Sequence, residues 1–168
     1  MGFWLLALAA LVVGADGLWD ELLPTGDKPA ARVYFSAIRN DTSMVIFGGT
    51  IKSPSVVGGA WKLDLAGDPL KWKLIETNGG TPTVRTSHRA IKYTGRMIVF
   101  GGYNGNGQSS GIINDPWELD LVTLKWSPIS ASGTPSTGRM EFGAVLNGSV
   151  IVMFGGQTTL SAYTSETW

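Results

Sequence analysis

The sequence predicts an all-β chain built from about two and a half similar four-stranded antiparallel sheets. Three observations carry this expectation. A pattern of Trp, Gly, Pro, Arg and Phe-Gly-Gly recurs three times, with repeat lengths of 53 and 54 residues between Trp19, Trp72 and Trp126. Gly (23) and Trp (7) are abundant for 168 residues, as expected of many strands joined by tight turns. Each repeat also contains one short, almost wholly apolar run, which suits a strand covered on both faces.

The elements follow in chain order. Residues Phe3–Ala15 carry no charge and reach only about 20 Å as a helix, short of a bilayer span. Val13 and Ala15 supply the small residues that a signal peptidase reads. Residues 1–15 are therefore expected to be a secretion signal cleaved before Asp16, although no basic residue precedes the run. Residues 18–31 read as a lone final-type strand, Leu18–Pro24, and its following loop. Residues 32–77 form a first unit, 85–131 a second and 139–168 an incomplete third.

Within the second unit the strands are expected at His88–Thr94 (a), Arg96–Phe100 (b), Trp117–Leu121 (c) and Lys125–Ser130 (d). Strand b reads MIVF, with MVIF and VIVMF in its neighbours. Strand c alternates, with Trp117, Leu119 and Leu121 on one face and Glu118 and Asp120 on the other. Strand d contains Pro128, which has no N–H to donate, so d is expected at the outer edge. The paired glycines end strand b, where positive φ or close packing is required.

The register is strict. Gly26, Gly79 and Gly133 lie seven residues after the first Trp of each unit, and Arg32, Arg85 and Arg139 lie thirteen after it. Pro29, Pro82 and Pro135 sit between them, and Phe47, Phe100 and Phe154 open Phe-Gly-Gly. Trp61, Trp117 and Trp168 follow. This pattern resembles the kelch repeat from Trp19 to Trp168. The resemblance implies kelch-type β-propeller blades and, since a propeller closes with four to eight blades, part of a larger ring. The missing blades are expected from a longer chain or from an oligomer. The segment Leu18–Pro24 resembles the strand with which such rings latch shut.

Balanced charge, 13 basic against 13 acidic residues, argues against a general grip on nucleic acid or an acidic membrane surface. No stable membrane insertion is expected beyond the signal segment. The absence of cysteine excludes disulfides and thiolate chemistry. Kelch-like propellers include copper oxidases, sugar epimerases and product-specifying enzymes. A copper oxidase of that kind requires a Tyr–Cys cross-link and several histidines, and this chain has no Cys and one His, His88. No cofactor and no metal are expected, and a non-enzymatic scaffold with a protein partner is the leading expectation. A fragment of a propeller enzyme, or a structural subunit of an assembly, is the alternative.

In an up-and-down blade the b–c and d–a connections share one face and the a–b and c–d turns the other. The b–c loops Thr50–Gly59, Tyr103–Asn114 and Gln157–Thr164 are long, which marks their face as the binding surface. Tyr103, Asn104, Asn106 and Gln108 are candidate ligand groups there. The resemblance adds Arg32, Arg85 and Arg139. In kelch adaptors of ubiquitin ligases the Arg at this position can face the central mouth and bind acidic peptides. The competing reading ties each Arg to backbone carbonyls. The sequons Asn40-Asp41-Thr42 and Asn147-Gly148-Ser149 occupy a–b turns and are glycosylation candidates if the chain is secreted.

Overall fold

Period-two runs of β-branched and aromatic residues between Gly-rich turns become strands throughout the computed structural model, which describes residues 21–52, 55–130, 132–133 and 137–168. The first unit contains β1 (Thr25–Gly26), β2 (Ser36–Asn40), β3 (Ser43–Phe47), β4 (Thr50–Lys52), β5 (Ser55–Val56), β6 (Ala60–Asp64) and β7 (Lys71–Ile75). The second contains β8 (Asn78–Gly79), β9 (Arg89–Tyr93), β10 (Arg96–Phe100), β11 (Trp117–Asp120) and β12 (Lys125–Pro128). The third contains β13 (Gly143–Asn147), β14 (Val150–Phe154), β15 (Gln157–Thr159) and β16 (Ala162–Tyr163).

The two complete sheets run β1-β7-β6-β3-β2 and β8-β12-β11-β10-β9. Strands a to d of the sequence reading are thus β2, β3, β6, β7 and β9 to β12, all antiparallel neighbours. In the third unit β13 pairs with β14, and Trp168 exchanges two backbone hydrogen bonds with Met153. Trp61 sits opposite Ile46 and Trp117 opposite Val99 in the same manner.

Strand d lies outermost of the four strands a to d, as expected from Pro128, which meets no strand beyond it; only the first two residues of d gain a further neighbour. A two-residue parallel strand from the preceding linker covers them: Thr25–Gly26 lies on Lys71–Trp72, and Asn78–Gly79 on Lys125–Trp126. Gly26 and Gly79 both have φ near +80°, and a Cβ on either would fall within 2.5 Å of the Trp carbonyl it lies against. Glycine at the seventh position after Trp is therefore required by this contact. Of the expected strand Leu18–Pro24, residues 18–20 lie outside the described part, and Glu21–Pro24 form no strand. The expected signal segment, residues 1–15, likewise lies outside it.

The core runs between units. Ile38, Val45, Phe47, Ala60, Met97, Val99, Leu119 and Trp126 form one buried cluster. Phe47 closes strand b of the first unit and packs edge-on against His88 (5.6 Å between ring centroids) and tilted against Trp126 (5.0 Å) of the second. Phe100 repeats the contact with Phe142 of the third at 5.3 Å. Positions 35, 88 and 142 are thus one register position, holding Phe, His and Phe.

The paired glycines join neighbouring units. Gly49 N–H donates to the Arg85 carbonyl (2.9 Å) and Gly102 N–H to the Arg139 carbonyl (2.8 Å). A Cβ on Gly48 or Gly101 would lie 2.5 Å from those same oxygens. The expectation of positive φ and close approach therefore holds for both pairs, with φ between 66° and 99°.

Candidate functional site

Each arginine is fixed by its own unit. Arg85 donates from Nε to the Thr83 carbonyl, from Nη1 to the Gly101 and Asp115 carbonyls, and from Nη2 to Asp115 Oδ1 at 2.9 Å. Its side chain has no exposed surface. Burial lowers its pKa and the Asp115 carboxylate opposes that, which keeps the guanidinium charged. Arg139 donates to the Gly155 carbonyl and to Glu166 Oε2 (2.8 Å), while its Nε is buried without an acceptor among the described residues. Arg32 donates to the Ala30 and Gly48 carbonyls and is only half-buried. The acidic-ligand reading of Arg85 and Arg139 is thereby corrected. Arg85 spends its donors on backbone and carboxylate inside the fold, and Arg139, whose Nε is left unpaired, is equally buried, so neither presents its guanidinium at the mouth.

The carboxylates serve a second donor. Asp115 Oδ2 accepts from the Trp117 indole N–H at 2.9 Å, and Glu166 Oε2 from that of Trp168 at 3.1 Å. The Glu166 pKa is lowered, first by the Trp168 hydrogen bond and then by Arg139. An Arg–carboxylate–Trp bridge thus pins the start of strand c to the loop before strand a.

A different register position faces the opening. Tyr34, Ser87 and Glu141, each two residues after the arginine, have φ of 56°, 54° and 57°. Ser87 N–H donates to the Tyr34 carbonyl (2.9 Å) and Glu141 N–H to that of Ser87 (3.0 Å), a backbone ladder across three units. Residue-type matching could not find these positions, because Tyr, Ser and Glu share no chemistry. Their common feature is the left-handed backbone.

These residues line an open cleft of about 680 Å³. Its walls come from the d–a loops (Arg32 to Tyr34, Thr86, Ser87, Met140, Glu141) and from the b–c loops (Thr50 to Lys52, Tyr103, Leu160). Thr50 and Thr86 hydroxyls bond each other across two units at 3.0 Å. Of the candidate loop residues only Tyr103 lines the cleft. Asn104 Oδ1 accepts from Asn106 N–H, Asn106 Oδ1 from Gln108 N–H, and the Tyr103 hydroxyl from Gly107 N–H. Asn104 and Asn106 therefore brace their own loop, and Gln108 lies outside the cleft with them.

On the opposite face, Asn40 and Asn147 end strands a at two-residue turns, with Asn147 exposed and Asn40 half-buried. His88 is buried, and its Nε2 lies 2.6 Å from the Ser36 hydroxyl. Desolvation, then the charges of Arg85 and Arg89, depress its pKa to about 3. It packs between units and does not line this cleft. Among the described residues no three His, Asp or Glu side chains cluster as a metal site, and no helix is long and apolar enough to cross a membrane.

Stacked four-stranded sheets tied through Arg and Gly-Gly, with long loops around a shared opening, define blades of a β-propeller. The chain belongs to the kelch-repeat family: residues 11–168 match the KLHDC2/KLHL20/DRC7 Kelch-repeats domain. It is similar to acyl-CoA-binding domain-containing protein 5 of Arabidopsis thaliana, 32% identical over 82% of this chain and 20% of that one. Human kelch domain-containing protein 3 is 28% identical over 83% of this chain and 37% of its own length. The solved structure of YjhT shares the fold, with a TM-score of 0.63 at 19% identity over 81% of this chain and 37% of that one. The chain thus spans about a fifth of the first relative and just over a third of the other two.

Proposed function

We propose that this chain acts as a protein-interaction scaffold, seating a segment of a partner protein in the cleft between its b–c and d–a loops. The observation that carries the reading is the cleft itself, walled by loops of three units on a rigid frame. Kelch relatives support a protein partner, and the buried, pKa-depressed His88 supports binding over catalysis. The secreted or lumenal setting rests on the uncharged run Phe3–Ala15, and use of the sequons Asn40 and Asn147 rests on that setting.

Selection from a displayed peptide library tests the binding surface. Recovered peptides are expected to lose at least about tenfold in affinity for Tyr34→Ala and for Glu141→Lys, the loss of roughly one good contact. Ser149→Ala, on the opposite face, is expected to leave affinity unchanged. The reverse pattern would place the working surface on the a–b turns.

A further inference from the structure

The joint between the first and second units is filled by two side chains that have no counterpart at the next joint. Val45, Phe47 and Ala60 of the first unit form one buried cluster with Met97, Val99, Leu119 and Trp126 of the second. The Trp126 ring lies 5.0 Å from that of Phe47. One joint later the counterparts by register of Val45, Phe47, Ala60, Met97 and Val99 are Ile98, Phe100, Pro116, Ile151 and Met153. Those five residues line a cavity of about 550 Å³, large enough for a ring-sized group. Among the described residues none takes the place of Leu119 or Trp126 there. The cavity thus lies where those two side chains lie in the closed joint.

An open sheet edge borders the same place. β13 and β14 form a two-stranded sheet, and Met153 exchanges backbone bonds with Trp168 as Val99 pairs with Trp117. Bonds to one neighbour fall on every second residue of an antiparallel strand. The next bonding position on this edge is therefore Ile151, the counterpart of Met97, which pairs with Leu119. Among the described residues Ile151 has no strand on that side. Free backbone groups on an edge call for a polypeptide, and the cavity beside it calls for a ring, as Trp126 supplies one joint earlier. We propose that an extended segment of a partner protein adds antiparallel to β14 at Ile151 and seats an aromatic side chain in this cavity. The residue opposite Ile151 takes the position of Leu119, which lies across from Trp126, so a ring there enters the space of both. Polar residues on either side of it point the other way. No residue lines both this cavity and the loop cleft, so the two surfaces are separate.

The test uses the full chain with ¹³C-methyl methionine and the peptide Ac-Glu-Xaa-Asp-Leu-Thr-Lys-NH2, where Xaa is Trp, Leu or Ser. Free indole is a further probe. With Trp, the Met153 methyl is expected to shift saturably through the ring current, and amide exchange at Ile151 to slow. Leu is expected to give the protection at about tenfold weaker affinity, and Ser to give neither effect. Indole should move Met153 without protecting Ile151. Met97, fully buried in the closed joint, should stay still throughout. Ile98→Trp, which fills the cavity from the facing wall, is expected to weaken the Trp peptide about tenfold or more. Silence of Met153, equal binding of the Trp and Ser peptides, or equal shifts at Met97 and Met153 would overturn the proposal. So would a Met153 shift that grows with protein concentration alone, which would seat a second copy on the edge instead. The peptide series needs no variant and stays decisive if Ile98→Trp misfolds. Tyr34→Ala is expected to bind the Trp peptide like the parent, so this surface and the cleft are read separately.

Discussion

Arg85→Ala is expected to destabilise the chain by roughly 3 kcal/mol, and to do so more than Arg139→Ala or Arg32→Ala. The substitution removes four hydrogen bonds and opens a gap at a side chain with no exposed surface. It leaves the Gly101 carbonyl, at the joint between units, without its side-chain donor. Breaking a fully buried ion pair costs about 3–5 kcal/mol, and Asp115, at 41% exposure, regains some hydration, so the lower end applies. Arg139 has one carbonyl and one carboxylate partner, with Nε already unsatisfied, so its removal should cost less. Arg32, half-buried and without an ion pair, should cost least. Urea midpoints at constant slope give the order directly. An Arg32 variant as damaging as the Arg85 variant would show that the bridge does not determine the ranking.

Stability is expected to fall as pH drops from about 6.5 toward 3, and His88 is expected to be a main cause. Its folded pKa of about 3 lies well below the ordinary histidine value of 6.5. Between those values the unfolded chain binds the proton and the folded chain refuses it, so acid favours unfolding. The contribution is complete above about pH 6.5 and lost as pH falls through about 3, with a ceiling of roughly 5 kcal/mol. Carboxylates such as Glu166 and Asp120, with lowered pKa values, add to acid sensitivity in the same direction. His88→Phe isolates the histidine, because Phe already occupies the matching positions 35 and 142. The variant should lie within about 1 kcal/mol of the parent at pH 7, having lost only the Ser36 hydrogen bond. At pH 4.5 it should exceed the parent by about 2–3 kcal/mol. Parallel stability profiles for the two proteins would overturn the assignment.

Most of the architecture was legible because it rests on residue types with no substitute. Gly-Gly marks backbone approach and appeared where expected; the apolar b strands formed where expected too, but both faces are buried mainly in the first unit, and in the third β14 leaves Val150 and Phe154 exposed. The added parallel strands at Thr25–Gly26 and Asn78–Gly79 were not legible, because a two-residue backbone pairing imposes no hydrophobic period. The arginines illustrate a different limit. Their recurrence showed that they matter, but recurrence cannot tell a guanidinium turned inward from one turned toward a ligand. Asp115 and Glu166 decide that, and their pairing with Arg emerges only when strand c is laid beside the d–a loop. The opening itself was the least legible feature, since Tyr34, Ser87 and Glu141 share a conformation and no side-chain chemistry.

The linker strands also bear on how such a chain can change its length. Gly26 and Gly79 meet the next unit only through backbone atoms and a lack of side chain. That backbone pairing is particular to no one pair of neighbours. The pairing itself asks only for glycine seven residues after the Trp, a spacing and positive φ (+71°) that Gly133 keeps, while the side chains packed between units, Phe47 on His88 and Trp126 and Phe100 on Phe142, have to match. A lineage could therefore gain, lose or shuffle whole periods of this sequence while keeping the backbone junction and refitting only the side chains packed between units, and the cleft-lining positions 34, 87 and 141 could diverge in side chain.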